Sequence, residues 1–357
     1  MEPSDRAPGK VDIPRDTLGR PLANLRLSVT DRCNLRCAYC MPEENYTWLP
    51  KSDVLSFEET ARLVDVFCGL GVRKVRLTGG EPLLRRGLDQ LVGMLAAKDQ
   101  VEDLAMTTNG ILLSDQAPGL KAAGLGRLTL SLDTLDPKRF RELTRRDDFS
   151  RCIAGIEAAA EAGFRGTKLN VVAMRGVNDD ELEDLVHFGQ RYDLEVRFIE
   201  YMDVGGATGW DCSKVISRAE ILDQLGKAFG GVAPVGTNSN DESALAAPAQ
   251  RYQLGNGSVV GVIASTTTPF CGTCDRSRLT ADGRWFRCLY ARAGTDLRGP
   301  LRSGMDSIEL AELIAGTWRA RADRGAQDRL GQELRAPLAS APELRADPHL
   351  EMHTRGG

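Results

Sequence analysis

Six of the chain's nine cysteines fall into two close sets: Cys33, Cys37 and Cys40 near the start, and Cys271, Cys274 and Cys288 far downstream. The first set has the spacing C-x3-C-x2-C and the second C-x2-C-x13-C. Three thiolates in one tight loop can hold three corners of a [4Fe–4S] cube and leave one iron open to another ligand. Structural zinc is the competing reading, but it usually takes four ligands. The three histidines, His187, His349 and His353, all lie far from the first set. For the second set, a cluster with an open iron and a zinc ribbon lacking one ligand both stand. Its neighbourhood adds chemistry, because Cys274-Asp275-Arg276-Ser277-Arg278 places two guanidinium groups beside the metal. Their fork of donors suits phosphates, which implies an anionic substrate held there.

The other three cysteines read differently. Cys68 continues an apolar face with Phe57, Ala61 and Val64, and Cys152 does so with Ile153, Ile156 and Ala160, so both read as buried structural thiols. Cys212 lies in a glycine-rich stretch and carries no assignment. The 357 residues are 42% hydrophobic and 27% charged, with a net charge of -4. That balance fits a globular protein and excludes broad binding to nucleic acid or to a membrane surface. No apolar run approaches the roughly 20 residues that span a bilayer. Met1–Pro14 lacks the apolar centre of a signal peptide. A cytoplasmic location is expected, where clustered cysteines hold metals more often than they pair.

The elements that must position these residues are short and alternate. Strands are expected at Leu25–Val29, Val72–Leu77, Asp103–Thr107, Arg127–Leu132, Thr167–Ala173 and Glu195–Glu200. Helical stretches at Ser56–Leu70, Leu83–Lys98, Arg151–Ala162 and Asp180–Tyr192 lie between them. Ser56 with Glu59 reads as a capping box, and Asn178 or Asp179 as the cap of the last helix. Strand–helix alternation implies a parallel sheet with helices outside it. Six units predict an α/β fold, an incomplete, open six-unit βα barrel rather than the closed eight-unit form.

Polar motifs recur at the strand ends: Asp31-Arg32-Cys33, Thr78-Gly79-Gly80-Glu81-Pro82, Thr107-Thr108-Asn109-Gly110, Ser131-Leu132-Asp133 and Tyr201-Met202-Asp203. Parallel α/β sheets bind ligands at the carboxyl ends of their strands, so five loops are expected to converge on one pocket. After Val204 a smaller β-containing extension is expected, with a hairpin of Gln250–Leu254 and Ser258–Ala264 about Gly255-Asn256-Gly257. A strand at Arg284–Leu289 and a helix near Ile308–Arg321 follow. The chain thus divides into a flexible segment (1–20), a partial barrel (21–204), an extension carrying the second cysteine set (205–324) and a flexible tail (325–357).

The C-x3-C-x2-C loop, with Tyr39 before its last cysteine, resembles the radical S-adenosylmethionine (SAM) enzymes, as does Gly79-Gly80-Glu81-Pro82. Adjacent glycines let backbone carbonyls approach an ammonium group closely. Leu27–Cys33, Leu77–Leu83, Phe270–Thr280 and the terminal Gly356-Gly357 together resemble the GTP 3',8-cyclases, over about Pro21–Ala322 and again at the terminal glycines. That resemblance implies two [4Fe–4S] clusters, one on each cysteine set, with SAM on the first. It implies cleavage of SAM to a 5'-deoxyadenosyl radical, hydrogen abstraction from C3' of GTP and closure onto C8. The product would be 3',8-cyclo-7,8-dihydro-GTP, the first step toward molybdenum cofactor.

The SAM contacts would fall on Tyr39, Gly80, Ser131 and Met202. The GTP contacts would fall on Arg26, Arg76, Thr107, Lys168, Arg276, Ser277 and Arg278. Arg26, Arg276 and Arg278 join Cys33, Cys37 and Cys40 as the implied catalytic set. Gly356 and Gly357 would reach into the pocket. The implied partners are an external electron donor and a downstream cyclic pyranopterin monophosphate synthase, and a homodimer is compatible with the resemblance. The chain departs from the family at Gly325–Pro348, which is rich in Arg and Ala, and at Thr354-Arg355, where an apolar residue is expected. Two rival readings are a radical SAM enzyme that modifies peptides and a non-catalytic iron–sulfur or zinc scaffold.

Overall fold

The computed structural model describes residues 13–236, 245–332 and 335–356. Six parallel strands form its centre: β1 (Asn24–Ser28), β2 (Lys74–Thr78), β3 (Asp103–Thr108), β4 (Arg127–Ser131), β5 (Lys168–Ala173) and β6 (Glu195–Glu200). Helices α1 (Phe57–Gly69), α2 (Leu88–Ala96), α3 (Leu113–Ala122), α4 (Pro137–Thr144), α5 (Phe149–Glu161) and α6 (Leu182–Arg191) connect them. Each strand turns alternate residues outward under the helices, as with Leu25 and Leu27, Val75 and Leu77, and Leu104 and Met106, all buried. The other parity faces the interior of the open barrel.

Ser56 and Glu59 form the expected capping box of α1. The expected helix Leu83–Lys98 is broken. Pro82–Leu84 makes a single 3₁₀ turn, and α2 begins only after Gly87, whose φ of 69° no helix continues through. Asn178 does not cap α6, which has Glu181 at its N-cap. Its buried side chain instead bonds the backbone of Met174, Asp133 and Val172. Helices α3 and α4 lay outside the sequence expectations.

The expected boundary at Val204 does not divide the sheet. Strand β9 (Val259–Ile263) pairs parallel with β6, and β10 (Arg276–Leu279) pairs parallel with β1. Eight parallel strands result. Antiparallel β8 (Gln250–Leu254) and β7 (Val232–Pro234) flank one edge; β11 (Arg284–Phe286) and β12 (Thr295–Asp296) flank the other. The sheet stays open, its twelve strands running from β12 to β7. The extension also shares the core. Trp285 stacks on Trp318 at 6.2 Å and meets Phe67 of α1 in a tilted contact at 5.6 Å, all three essentially inaccessible. Truncating one such aromatic to Ala costs about 3–5 kcal/mol, so the two parts stabilise one another.

The segments expected to be flexible pack where they are described. Arg20 pairs with Asp16 at 2.6 Å in full burial and donates to the carbonyls of Cys271 and Asp323, both at 2.8 Å. The tail forms short helices at Gly325–Asp328, Ala341–Ala346 and Met352–Arg355. Its composition offers few apolar residues, and its polar groups find partners on other elements instead. No helix among the described residues is long and apolar enough to cross a membrane.

Candidate active site

One cavity of about 510 Å³ opens inside the barrel and is lined by all six clustered cysteines. The first set sits on the loop after β1, and neighbouring loops fix that loop by hydrogen bonds. Gly80 N donates to Thr30 O at 3.0 Å, and Glu81 N to Arg32 O at 2.8 Å. The contact is so close that a Cβ on Gly79 would stand 2.2 Å from Thr30 O, and one on Gly80 2.3 Å from Arg32 O. Only paired glycines let the two loops meet. Asn109 donates to Asn34 at 2.8 Å, and the Tyr39 hydroxyl donates to Asp133 at 2.6 Å.

Two buried carboxyls lock these loops. Glu81 accepts from Thr108 Oγ1 (2.7 Å), Asn109 N (2.8 Å) and Leu83 N (3.1 Å), and burial raises its pKa to about 7. Asp133 also accepts from Val172 N at 2.8 Å, and burial raises it to about 6. Both stand in motifs named from the sequence, yet their tertiary partners could not be read there.

The thiols test whether iron–sulfur clusters fit. Burial and the nearby Glu81 raise Cys33 to about 11, and burial with repulsion from neighbouring thiols and carboxylates raises Cys37 and Cys40 well above the ordinary thiol range. Thiols that resist ionisation unaided suit a site whose metal supplies the positive charge. In the second set, burial opposes ionisation of Cys274, but Arg276 and Arg321 outweigh it and bring the thiol down to about 6. Among the described residues, no three His, Cys, Asp or Glu side chains close around a single ion. A cubane asks something different, since each thiolate binds its own iron. The donor sets fit clusters.

Register, not sequence proximity, gathers the cations. Arg278 of β10 lies opposite Arg26 of β1, which lies opposite Arg76 of β2. All three line the cavity with Arg276 and Lys168. Burial and the other arginines hold Arg26 well below its ordinary range. Burial with Arg276 lowers Arg278 to about 10, and burial with Arg197 and Arg127 lowers Lys168 to about 8. Like charges in adjacent strands repel one another, so the row calls for an anion. Arg76 donates to Thr129 Oγ1 at 2.8 Å and Thr107 Oγ1 at 3.3 Å, which aims it. Lys74, Arg127 and Arg197 also line the cavity and were missed. Their strand parity, shared with Arg76, Thr129 and Lys168, is the signal that could have found them.

Tyr39, Gly80, Ser131, Met202 and Thr107 all line the cavity. Ser277, implied as a GTP contact, is not among the lining residues. It alternates with Arg276 and Arg278 on β10, so it faces away, fully buried, with Oγ donating to Asn24 O at 3.4 Å. Cys68 and Cys152 are buried, as expected, and Cys212 is exposed.

The tail enters the same site. Gly356 adopts φ 67°, and a Cβ there would stand 2.2 Å from Thr78 Cγ2. Its carbonyl accepts from Arg278, and from Arg26 at 3.5 Å. Arg355, where an apolar residue was expected, is buried with its guanidinium 4.2 Å from the Phe286 ring centre. It donates to Leu289 O at 2.8 Å and to His349 O. His349 lies between Asp282 (2.8 Å) and Asp347 (3.0 Å). Gly357 lies outside the described residues.

Comparison with known proteins agrees with this geometry. Residues 27–189 match the radical SAM superfamily, and residues 194–327 match the domain described as Molybdenum Cofactor Synthesis C. The chain is 53% identical to GTP 3',8-cyclase 1 of Mycobacterium tuberculosis (strain CDC 1551 / Oshkosh), across 96% of this chain and 95% of that protein. It is 49% identical to GTP 3',8-cyclase of Acidothermus cellulolyticus, across 87% of each. Among solved structures, SuiB of Streptococcus suis shares the fold at a TM-score of 0.58 and 16% identity, covering 83% of this chain and 68% of SuiB. The chain belongs to the GTP 3',8-cyclase family, within the radical SAM superfamily.

Proposed function

We propose that this cavity converts GTP to 3',8-cyclo-7,8-dihydro-GTP, with a [4Fe–4S] cluster on each cysteine set. The observation that carries the reading is the sharing of one cavity by two three-thiol sites and a row of mutually repelling arginines. Its volume falls within the roughly 300–1,000 Å³ of small-molecule sites. When bound by Cys33, Cys37 and Cys40, the first cluster supplies the electron that cleaves SAM to a 5'-deoxyadenosyl radical. Tyr39, Gly80, Ser131 and Met202 hold SAM, with Gly79 and Gly80 lining the cavity where its ammonium group would sit.

Arg26, Arg76, Arg276, Arg278 and Lys168, with Thr107, hold the substrate. Their repulsion is relieved by the triphosphate, so binding energy is concentrated where charge is densest. Fixing the ribose relative to SAM turns hydrogen transfer from C3' into an intramolecular step. Cys271, Cys274 and Cys288 would hold the second cluster, and Gly356 completes the wall near Arg26 and Arg278. An external donor supplies electrons, and a cyclic pyranopterin monophosphate synthase takes the product. The reducing cytoplasm suits both clusters.

The test is anaerobic reconstitution followed by SAM, a strong reductant and GTP. The expected result is 5'-deoxyadenosine together with a cyclised guanosine triphosphate, from protein holding about eight irons per chain. Deoxyadenosine without a cyclised nucleotide would remove the GTP assignment, and about four irons would remove the second cluster.

A further inference from the structure

The Arg- and Ala-rich tail segment has a specific target. Asp203, fully buried directly after Met202, receives Arg335 through two bonds, Nε to Oδ2 at 2.8 Å and Nη2 to Oδ1 at 2.9 Å. Arg329 donates to the same carboxylate, and so does the Tyr290 hydroxyl at 2.8 Å. The Leu338 amide donates to the Asp203 carbonyl at 2.8 Å. Three separate stretches therefore meet on one carboxylate: the turn after β6, the turn beyond Cys288, and the tail. Burying a carboxylate is unfavourable unless its oxygens are satisfied, and here four donors satisfy them.

Met202 is held by packing. Its side chain packs in a small apolar group with Val204, Tyr290, Ala326, Leu338 and Met352. On the other side, Thr266 Oγ1 and Trp210 Nε1 donate to Tyr201 O at 2.9 and 3.2 Å. The turn Tyr201-Met202-Asp203 is thus held from both ends, and at the end nearer the tail the polar clasp centres on Asp203, with Arg335 Nη1 also donating to Thr266 O at 2.9 Å.

We propose that Asp203 is a positioning residue for the adenosyl cosubstrate, gathering Arg329, Arg335 and Tyr290 so that docking of the tail sets the place of Met202. This rests on the reading that Met202 contacts SAM. Releasing the clasp frees Met202 while leaving the arginine row on β1, β2 and β10 intact. SAM binding therefore weakens more than GTP binding, which loses only the contact of the Gly356 carbonyl with Arg278 and Arg26. A merely structural role would affect both ligands alike, or neither.

The test uses full-length, reconstituted protein carrying Arg335→Ala, Arg335→Lys or Asp203→Asn. SAM and GTP dissociation constants are measured separately by equilibrium dialysis, and release of the tail by trypsin in the as-isolated protein. Arg335→Ala leaves Arg329 and Tyr290 on Asp203, so the chain still folds. The expected result is a roughly tenfold weaker SAM affinity in Arg335→Ala and Asp203→Asn, about 1.4 kcal/mol. Partial recovery in Arg335→Lys, a clearly smaller loss of GTP affinity and faster tryptic release of the tail are expected with it. Unchanged SAM affinity despite a released tail overturns the proposal, and so does equal weakening for both ligands. If the unsubstituted protein binds no SAM, the underlying reading fails, an outcome distinct from either.

Discussion

Replacing Gly80 with Ala tests whether the Gly79-Gly80 turn holds the first cysteine loop in place. The added Cβ would stand 2.3 Å from Arg32 O, 2.6 Å from Arg32 C and 2.9 Å from Asp31 O. All three are backbone atoms, so no side chain can swing aside. Reaching ordinary contact requires the loops to part by about 1 Å. The bonds from Gly80 N to Thr30 O and from Glu81 N to Arg32 O, now 3.0 and 2.8 Å, would then open beyond hydrogen-bonding range. Losing two such bonds costs about 1 kcal/mol each, and overpacking adds about 1–3 kcal/mol, so the local cost is about 3–5 kcal/mol. A displacement of this size near reacting atoms lowers turnover by about a hundredfold. The assay is iron content after anaerobic reconstitution, followed by deoxyadenosine formation. Gly93→Ala, on α2 with nothing within 4 Å of its new Cβ, serves as the control and should be silent. Deoxyadenosine formation by Gly80→Ala at the rate of that control would refute the reasoning.

Tyr39→Phe removes the 2.6 Å bond to Asp133, which then keeps only its bond from Val172 N. A loss of about 1.5–3 kcal/mol is expected, read as a lower melting temperature and faster iron release to a chelator. Arg355→Leu supplies the apolar residue first expected there but leaves the Leu289 and His349 carbonyls without this donor. It should speed hydrogen exchange across residues 349–356 and lower cyclised product relative to deoxyadenosine. The pKa of His349 is raised: burial lowers it, but Asp282 and Asp347 outweigh that effect. Its stabilising contribution is therefore complete below the ordinary value of about 6.5 and is lost as pH rises through the folded value. Tail exchange, corrected for intrinsic rates, should quicken across that rise, and His349→Gln should flatten the dependence.

Asp203 and Ser277 mark two ways in which sequence reading falls short. The motif Tyr201-Met202-Asp203 was visible, but the arginines that satisfy its carboxylate come from the tail, and nothing local announces them. The resemblance implied Ser277 together with Arg276 and Arg278, whereas strand β10 turns its side chain the other way. Arg127 and Arg197 followed a legible parity that was simply not applied.

By itself the sequence determined the cysteine spacings, the paired glycines and the succession of six strands, because each depends on residues within a few positions of one another. Thiolate chemistry, the close approach allowed at Gly79-Gly80 and alternating apolar burial are all local constraints. Only the tertiary structure decided that β10 pairs in parallel with β1, bringing Arg278, Arg26 and Arg76 side by side and joining the two cysteine sets in one cavity. It also decided that the tail packs instead of remaining free. Arg355, His349 and Arg335 are polar residues whose full or partial burial is tolerable only because carbonyls and carboxylates from distant turns satisfy them, and such partners exist only once the chain has folded.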